Sequence, residues 1–236
     1  MDYAKKIMYQ SNYWYNDGLK KAQERDMNGA IIALRQSLQY NRENIAARNL
    51  LGLVYYGIGE VAEALVEWII SKNVKPRDNI ADSYIRNVQD SANELESINQ
   101  AIKKYNQCLG YCKQNGEDLA TIQLKQVIAA HPTFLKAYQL LALIYIQTNQ
   151  NTKARQLLLT ARKLDVSNTT TLNYLREITR QRGRHGKDVD RKKKKKDEAV
   201  EYSLGNETII QPAHGKRVRQ ISGKVTAGNI FAGVLI

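Results

Sequence analysis

The side chains with the most reactive chemistry are three histidines and two cysteines, and none is arranged to use it. His131 precedes Pro132 at an expected helix end, while His185 and His214 sit in a polar stretch further along. No His/Cys/Asp spacing has the short fixed intervals that close a metal coordination shell. Cys108 and Cys112 stand four apart, which in a helix puts both on one face but places them poorly for a disulfide. They read as small core residues of a reducing compartment. The glycines of "GIGE" at Gly57 fit the turn of a helical hairpin, not a phosphate loop between a strand and a helix. The chain is therefore expected to be non-enzymatic, with no cofactor and no metal.

What remains is electrostatic chemistry. Residues 180 to 220 carry thirteen Lys/Arg against six Asp/Glu, more than half of the net charge of +13. The run Arg191, Lys192, Lys193, Lys194, Lys195 and Lys196, with Lys216, Arg217 and Arg219, could contact phosphate on lipid or on nucleic acid. Both attractions are independent of sequence and weaken with salt. No aromatic residue interleaves with the lysines, which argues against stacking on single-stranded bases. A solvated spacer is the plain alternative.

Only three prolines occur, at Pro76, Pro132 and Pro212, so long helices are permitted through most of the chain. The opening "MDYAKKIMYQSNYWYNDG" has no apolar core of a signal peptide, and the sequons at Asn168 and Asn206 are read as chance matches. In residues 45 to 78, Leu51-Gly52 is followed by Tyr55, Gly59, Ala64, Trp68, Ser71 and Pro76. Shifting back 34 residues gives Trp14, Gly18, Ala30, Leu34 and Ser37, with Arg42 in place of proline. Residues 101 to 134 give Cys108, Tyr111, Ala120, Leu124, Val127 and Pro132. Residues 135 to 168 give Tyr138, Leu141-Ala142, Tyr145, Ala154, Leu158 and Ala161, with Val166 where proline would stand. This pattern resembles the tetratricopeptide repeat. Small residues let the two helices of a hairpin approach closely, and the larger ones fill the space between hairpins.

A second symmetry lies above the first. Shifted by 90 residues without a gap, Ala30 meets Ala120, Tyr55 meets Tyr145, and "YIRNV" at Tyr84 meets "YLREI" at Tyr174. The expected fold is all-α: a right-handed α-solenoid of four helical hairpins with capping helices near 80 to 92 and 169 to 181, followed by a flexible basic C-terminal tail. A repeat hairpin cannot bury its apolar face alone, which is why a cap is needed. The expected units are 11–90 and 101–181, two repeats and a cap each. Between them "DSANELESINQ" is read as two helices with a break near residues 91 to 96.

After Gln181 the pattern stops. Residues 182–229 are expected to be a largely disordered basic linker, with a short hairpin within "VEYSLGNETIIQPAHGKRVRQISGK" as the alternative. The last twelve residues, "VTAGNIFAGVLI", are uncharged. A span needs about 20 apolar residues, so 230–236 is read as the start of a transmembrane helix. An interfacial tail and an edge strand are the alternatives. The basic flank would stay on the cytoplasmic side. In outline the chain is similar to membrane-anchored tetratricopeptide adaptors, with a C-terminal transmembrane helix.

The resemblance implies a concave groove lined by the first helix of each hairpin. Its positions hold Asn12, Tyr15, Leu19, Ala22 and Gln23, then Ala46, Asn49, Leu53, Tyr56 and Gly57. The second unit supplies Ile102, Tyr105, Leu109, Cys112 and Lys113, then Lys136, Gln139, Leu143, Ile146 and Gln147. The carboxylate clamp of the chaperone-binding branch is missing, since Tyr15, Leu19 and Leu50 occupy its places. A Tyr/Leu/amide groove suits an amphipathic helix or an extended apolar peptide. The implied partner set is a protein or peptide in two similar sites, together with an anionic membrane surface. The alternative is a soluble adaptor whose lysine run contacts nucleic acid or serves as a localisation signal.

Overall fold

The computed structural model describes residues 3–90, 92–181, 200–204 and 207–211. The chain divides into two compact units, Met1–Gln181 and Arg182–Ile236.

The first unit is all helix: α1 (Tyr3–Gln23), α2 (Met27–Tyr40), α3 (Ile45–Gly57), α4 (Val61–Val74), α5 (Ala81–Gln89), α6 (Ala92–Lys113), α7 (Glu117–Ala130), α8 (Leu135–Gln147), α9 (Asn151–Leu164) and α10 (169–181). Adding 90 to the bounds of α2, α3 and α4 gives those of α7, α8 and α9 residue for residue. Within each pair of hairpins the turns recur at 34 residues. Arg25, Gly59, Asn115 and Asn149 all adopt positive φ, between 57° and 79°. After each, an amide reaches back five residues: Asp26 to Lys21, Glu60 to Tyr55, Gly116 to Tyr111 and Gln150 to Tyr145, at 2.7–2.9 Å. That bond satisfies a helix-end carbonyl and fixes the turn. Asp26 and Asn44 then cap the next helices, accepting from Gly29 N (2.7 Å) and Ala47 N (3.0 Å).

The signature side chains hold the hairpins together. Ala30, Ala64, Ala120 and Ala154 are fully buried, as are Leu34, Leu124 and Leu158, with Trp68 at the matching position. A Cβ on Gly18 would lie 2.7 Å from Leu34 Cγ, and one on Gly52 would lie 2.2 Å from Trp68 Nε1. The close approach is thus built around glycine in the first hairpins. Cys108 and Ala142 stand at the same places in the second pair of hairpins, both buried. The fold is a solenoid of four tetratricopeptide-type hairpins with capping helices α5 and α10.

Two helices do occupy the region between the pairs, but α6 starts at Ala92 and absorbs the polar stretch as its first turns. Leu95, Ile98 and Ile102 of α6 pack onto the core of the first pair, beside Ile85 and Val88 of α5. The pairs therefore share a core. They also meet turn to turn. Leu135 N donates to Ile58 O (3.2 Å), and Gly59 sits so close to Phe134 that a Cβ would fall 2.6 Å from its Cα. The last repeat returns to the first: Met27 N donates to buried Asp165 Oδ1 (3.1 Å), Val166 N to Arg25 O (3.0 Å), and Ser167 Oγ to Asp26. Asp165 thereby supplies an acceptor to the start of α2 from 138 residues away.

In the second unit β1 (Val200–Leu204) pairs antiparallel with β2 (Glu207–Gln211), Val200 opposite Gln211 and Leu204 opposite Glu207. For these residues the short hairpin replaces the expected disordered linker. Its strands are rich in β-branched and aromatic residues, and only Gly205-Asn206 separates them, a pair suited to a two-residue turn. The basic residues 191–196 and 216–219, and the apolar run 225–236, lie outside the described residues.

Candidate peptide-binding groove

The face of α3 turned away from α4 opens onto a groove of about 500 Å³. Its walls come from three places. Tyr15 projects from α1, Ala46, Asn49 and Leu53 from α3, and Asp78 and Ile80 from the segment leading into α5, with Tyr84 from α5 itself. Ile45 and Leu50 complete the lining. The surface is apolar and open: Leu53 is 38% exposed and Ile80 55%. Leu19 is half-buried next to it on α1.

Stacked rings support this wall. Tyr56 lies 5.9 Å from Trp68 between ring centroids, and Trp68 lies 5.1 Å from Tyr84. Trp68 Nε1 donates to Asn49 O (3.1 Å), which satisfies the one polar atom of a buried indole. Asn79 ties the loop down. Its Nδ2 donates to Ser71 O (3.0 Å) and Lys75 O (3.1 Å), and its Oδ1 accepts from Asn49 Nδ2 (3.0 Å) and Ala81 N (3.1 Å). Asn49 is consequently buried and held in place, a floor residue of the groove. Asp78, with φ 49°, is the single acidic side chain on the lining.

The counterpart in the second pair is different. Leu143 is 2% exposed and Ile146 8%. Tyr105 is buried, its ring 5.2 Å from that of Phe134, and burial pushes its hydroxyl pKa up. Gln139 Nε2 donates to Asn168 Oδ1 (2.7 Å) and Thr171 Oγ1 (3.0 Å). Leu109 is half-buried. The structure thus brings Tyr15, Asn49 and Leu53 together around one open groove; Tyr56 is not in its lining. It does not present Tyr105, Leu143 and Ile146 on a free surface.

No protein-family model and no curated protein matches the sequence. Solved structures do resemble it. The crystal structure of MamA protein is 21% identical and covers 66% of this chain and 91% of its own, with a TM-score of 0.34. The structure of YrrB, described as a TPR protein with an unusual peptide-binding site, is 13% identical over 74% of this chain and 98% of its own, with a TM-score of 0.33. PilF of Pseudomonas aeruginosa is 14% identical over 75% of this chain and 71% of its own, also at 0.33. That the fold is a solenoid of tetratricopeptide-type hairpins rests on the repeat geometry described above and not on these likenesses.

The sequence missed the contribution of the loop before α5. Asp78, Ile80 and Tyr84 lie outside the positions that the repeat pattern assigns to a groove, although the apolar Ile80 amid "KPRDNIAD" was a signal. Three of the reactive side chains, Cys108, Cys112 and His131, are accounted for structurally, while His185 and His214 lie outside the described residues. Burial pushes the Cys108 and Cys112 thiols up to about 11, so both stay protonated and inert at neutral pH. His131 Nε2 shares a hydrogen bond with Ser97 Oγ (2.9 Å), in a join between helices. Among the described residues no group of His, Cys, Asp or Glu could hold a metal ion.

Proposed function

We propose that the chain is a non-enzymatic protein-interaction scaffold whose first groove takes an apolar helical or extended segment of a partner protein. The observation that carries this is the exposure of Leu53 and Ile80 on one open groove lined also by Tyr15 and Tyr84. Large apolar side chains grouped on a fixed surface mark a binding site more often than they mark a free one. The test is selection of peptides from a random displayed library on the full chain. Leu53→Glu is expected to abolish capture of the selected peptides, while Ile32→Glu, on the exposed outer face of α2, keeps it. Equal capture by both variants would remove the groove from the function.

The second part of the reading is a tether to the cytoplasmic face of a membrane. Its support is the chemistry of the tail: an uncharged run at 225–236 following a Lys/Arg-rich segment. No described helix is long and apolar enough to cross a membrane, and the run itself lies outside the described residues. The protein is expected to sediment with membranes and to resist extraction by high salt, since apolar burial is not screened by ions. Release by salt would leave a peripheral protein, and a soluble nucleic-acid adaptor would then be the better account of the lysines.

A further inference from the structure

The first turns of α1 run past the end of its hairpin partner. Ser11 and Ser37 are hydrogen-bonded at 3.1 Å, which sets the last turn of α2 opposite Ser11 and leaves the residues before it overhanging. Tyr3 is 77% exposed, Met8 57%, Tyr9 62% and, one turn further, Tyr13 57%. Lys5 and Lys6 are exposed beside them, and no acidic residue occurs from Tyr3 to Asn16.

The duplicate of this helix shows what an overhang can be used for. α6 carries the same extension, and Leu95, Ile98 and Ile102 bury it against the core of the first pair. That overhang is aliphatic and acidic, with Glu94 and Glu96 and no Lys or Arg between Ala92 and Ile102. The overhang of α1 is the chemical opposite. It has tyrosines, with an apolar body and a polar tip, and lysines that can lay an apolar stem along a surface and keep the ammonium in water. Aliphatic residues suit a protein core, as α6 demonstrates. Tyrosine with lysine suits the headgroup layer of a bilayer, where aromatic rings sit at the boundary and cations meet lipid phosphate and carboxylate.

We propose that one face of the α1 overhang is a peripheral lipid-contact surface, with Tyr9 and Tyr13, one turn apart, entering the headgroup layer and Lys5 and Lys6, which flank them on the same face, meeting anionic headgroups. It is separate from the peptide groove and requires neither the basic tail nor the terminal run. The test uses the full chain with the Lys and Arg residues of 191–219 changed to Gln, so that the tail no longer supplies charge. Sedimentation with mixed phosphatidylserine–phosphatidylcholine vesicles is compared with pure phosphatidylcholine. The tail-neutralised chain is expected to bind the anionic vesicles. Lys5→Glu/Lys6→Glu should weaken that binding by at least about fivefold per lysine. Tyr9→Ser/Tyr13→Ser should weaken it too, with helix content by circular dichroism unchanged. Three results would overturn the proposal: no binding by the tail-neutralised chain, binding unaffected by either double variant, or a dimer in light scattering that Tyr9→Ser/Tyr13→Ser dissolves. The last would assign the surface to a second copy of the chain.

Discussion

The two halves of the solenoid have the same skeleton and different surfaces. Helices α2, α3 and α4 recur as α7, α8 and α9 with identical bounds 90 residues on, yet Leu53 is 38% exposed and its duplicate Leu143 only 2%. The positions that set the repeat, such as Ala30 and Ala120 or Leu34 and Leu124, are buried in both. The positions free of that duty have diverged. Shared register therefore establishes shared packing and does not establish shared binding. An expectation of two equivalent peptide sites asks more of the duplication than it carries.

That contrast can be broken by mutation, and the largest effect is expected at Leu143. Leu143→Ala should lose about 2–5 kcal/mol of unfolding free energy in urea titrations, as buried leucines do. Leu53→Ala should stay within roughly 0.5 kcal/mol, as exposed substitutions do. Equal losses would mean that the two concave faces are alike after all.

A smaller and matched effect is expected where the halves agree. Ala64 and Ala154 are both fully buried between the helices of their hairpins. Ala64→Leu and Ala154→Leu should each overpack that contact and cost about 1–3 kcal/mol. An unchanged thermal midpoint in either would contradict the shared register.

The smallest effect sharpens the junction between the halves. Glu60, at the turn before α4, pairs with Lys136 at 3.0 Å. Burial of Glu60 nevertheless outweighs Lys136 and raises its pKa above the ordinary 4.5. The folded state then holds this proton more tightly than the unfolded chain. Glu60 therefore contributes stability at low pH that is lost as pH rises from about 4.5 to its raised folded value. Glu60→Gln should flatten that part of the stability–pH curve and cost nothing at neutral pH. A Glu60-dependent gain in stability with rising pH would show that the ion pair, not burial, governs the site.

Much of the fold is legible in the sequence because small residues leave little choice. Gly18, Gly52 and the four alanines stand where any larger side chain would push two helices apart, and their spacing is visible without coordinates. The closure of the last repeat onto the first is not legible. It depends on Asp165 accepting from Met27 N across 138 residues, and no local pattern announces such a contact. A short hairpin within residues 200–224 is visible in the sequence only as an alternative to disorder and without strand bounds, since two five-residue segments carry weak periodicity. Of the groove, the α1 and α3 positions followed from the repeat. The wall made by Asp78 and Ile80 comes from an irregular connection that the repeat does not prescribe, and Tyr84 comes from the capping helix α5.

Hydrogen–deuterium exchange of the full chain, with and without a library-selected peptide, tests the central claim most directly. The account predicts that the peptide slows exchange in Ala46–Tyr56 and Asp78–Tyr84, the two sides of the open groove, and leaves Lys136–Ile146 unchanged. Protection confined to Lys136–Ile146 would place the site in the second pair and contradict it.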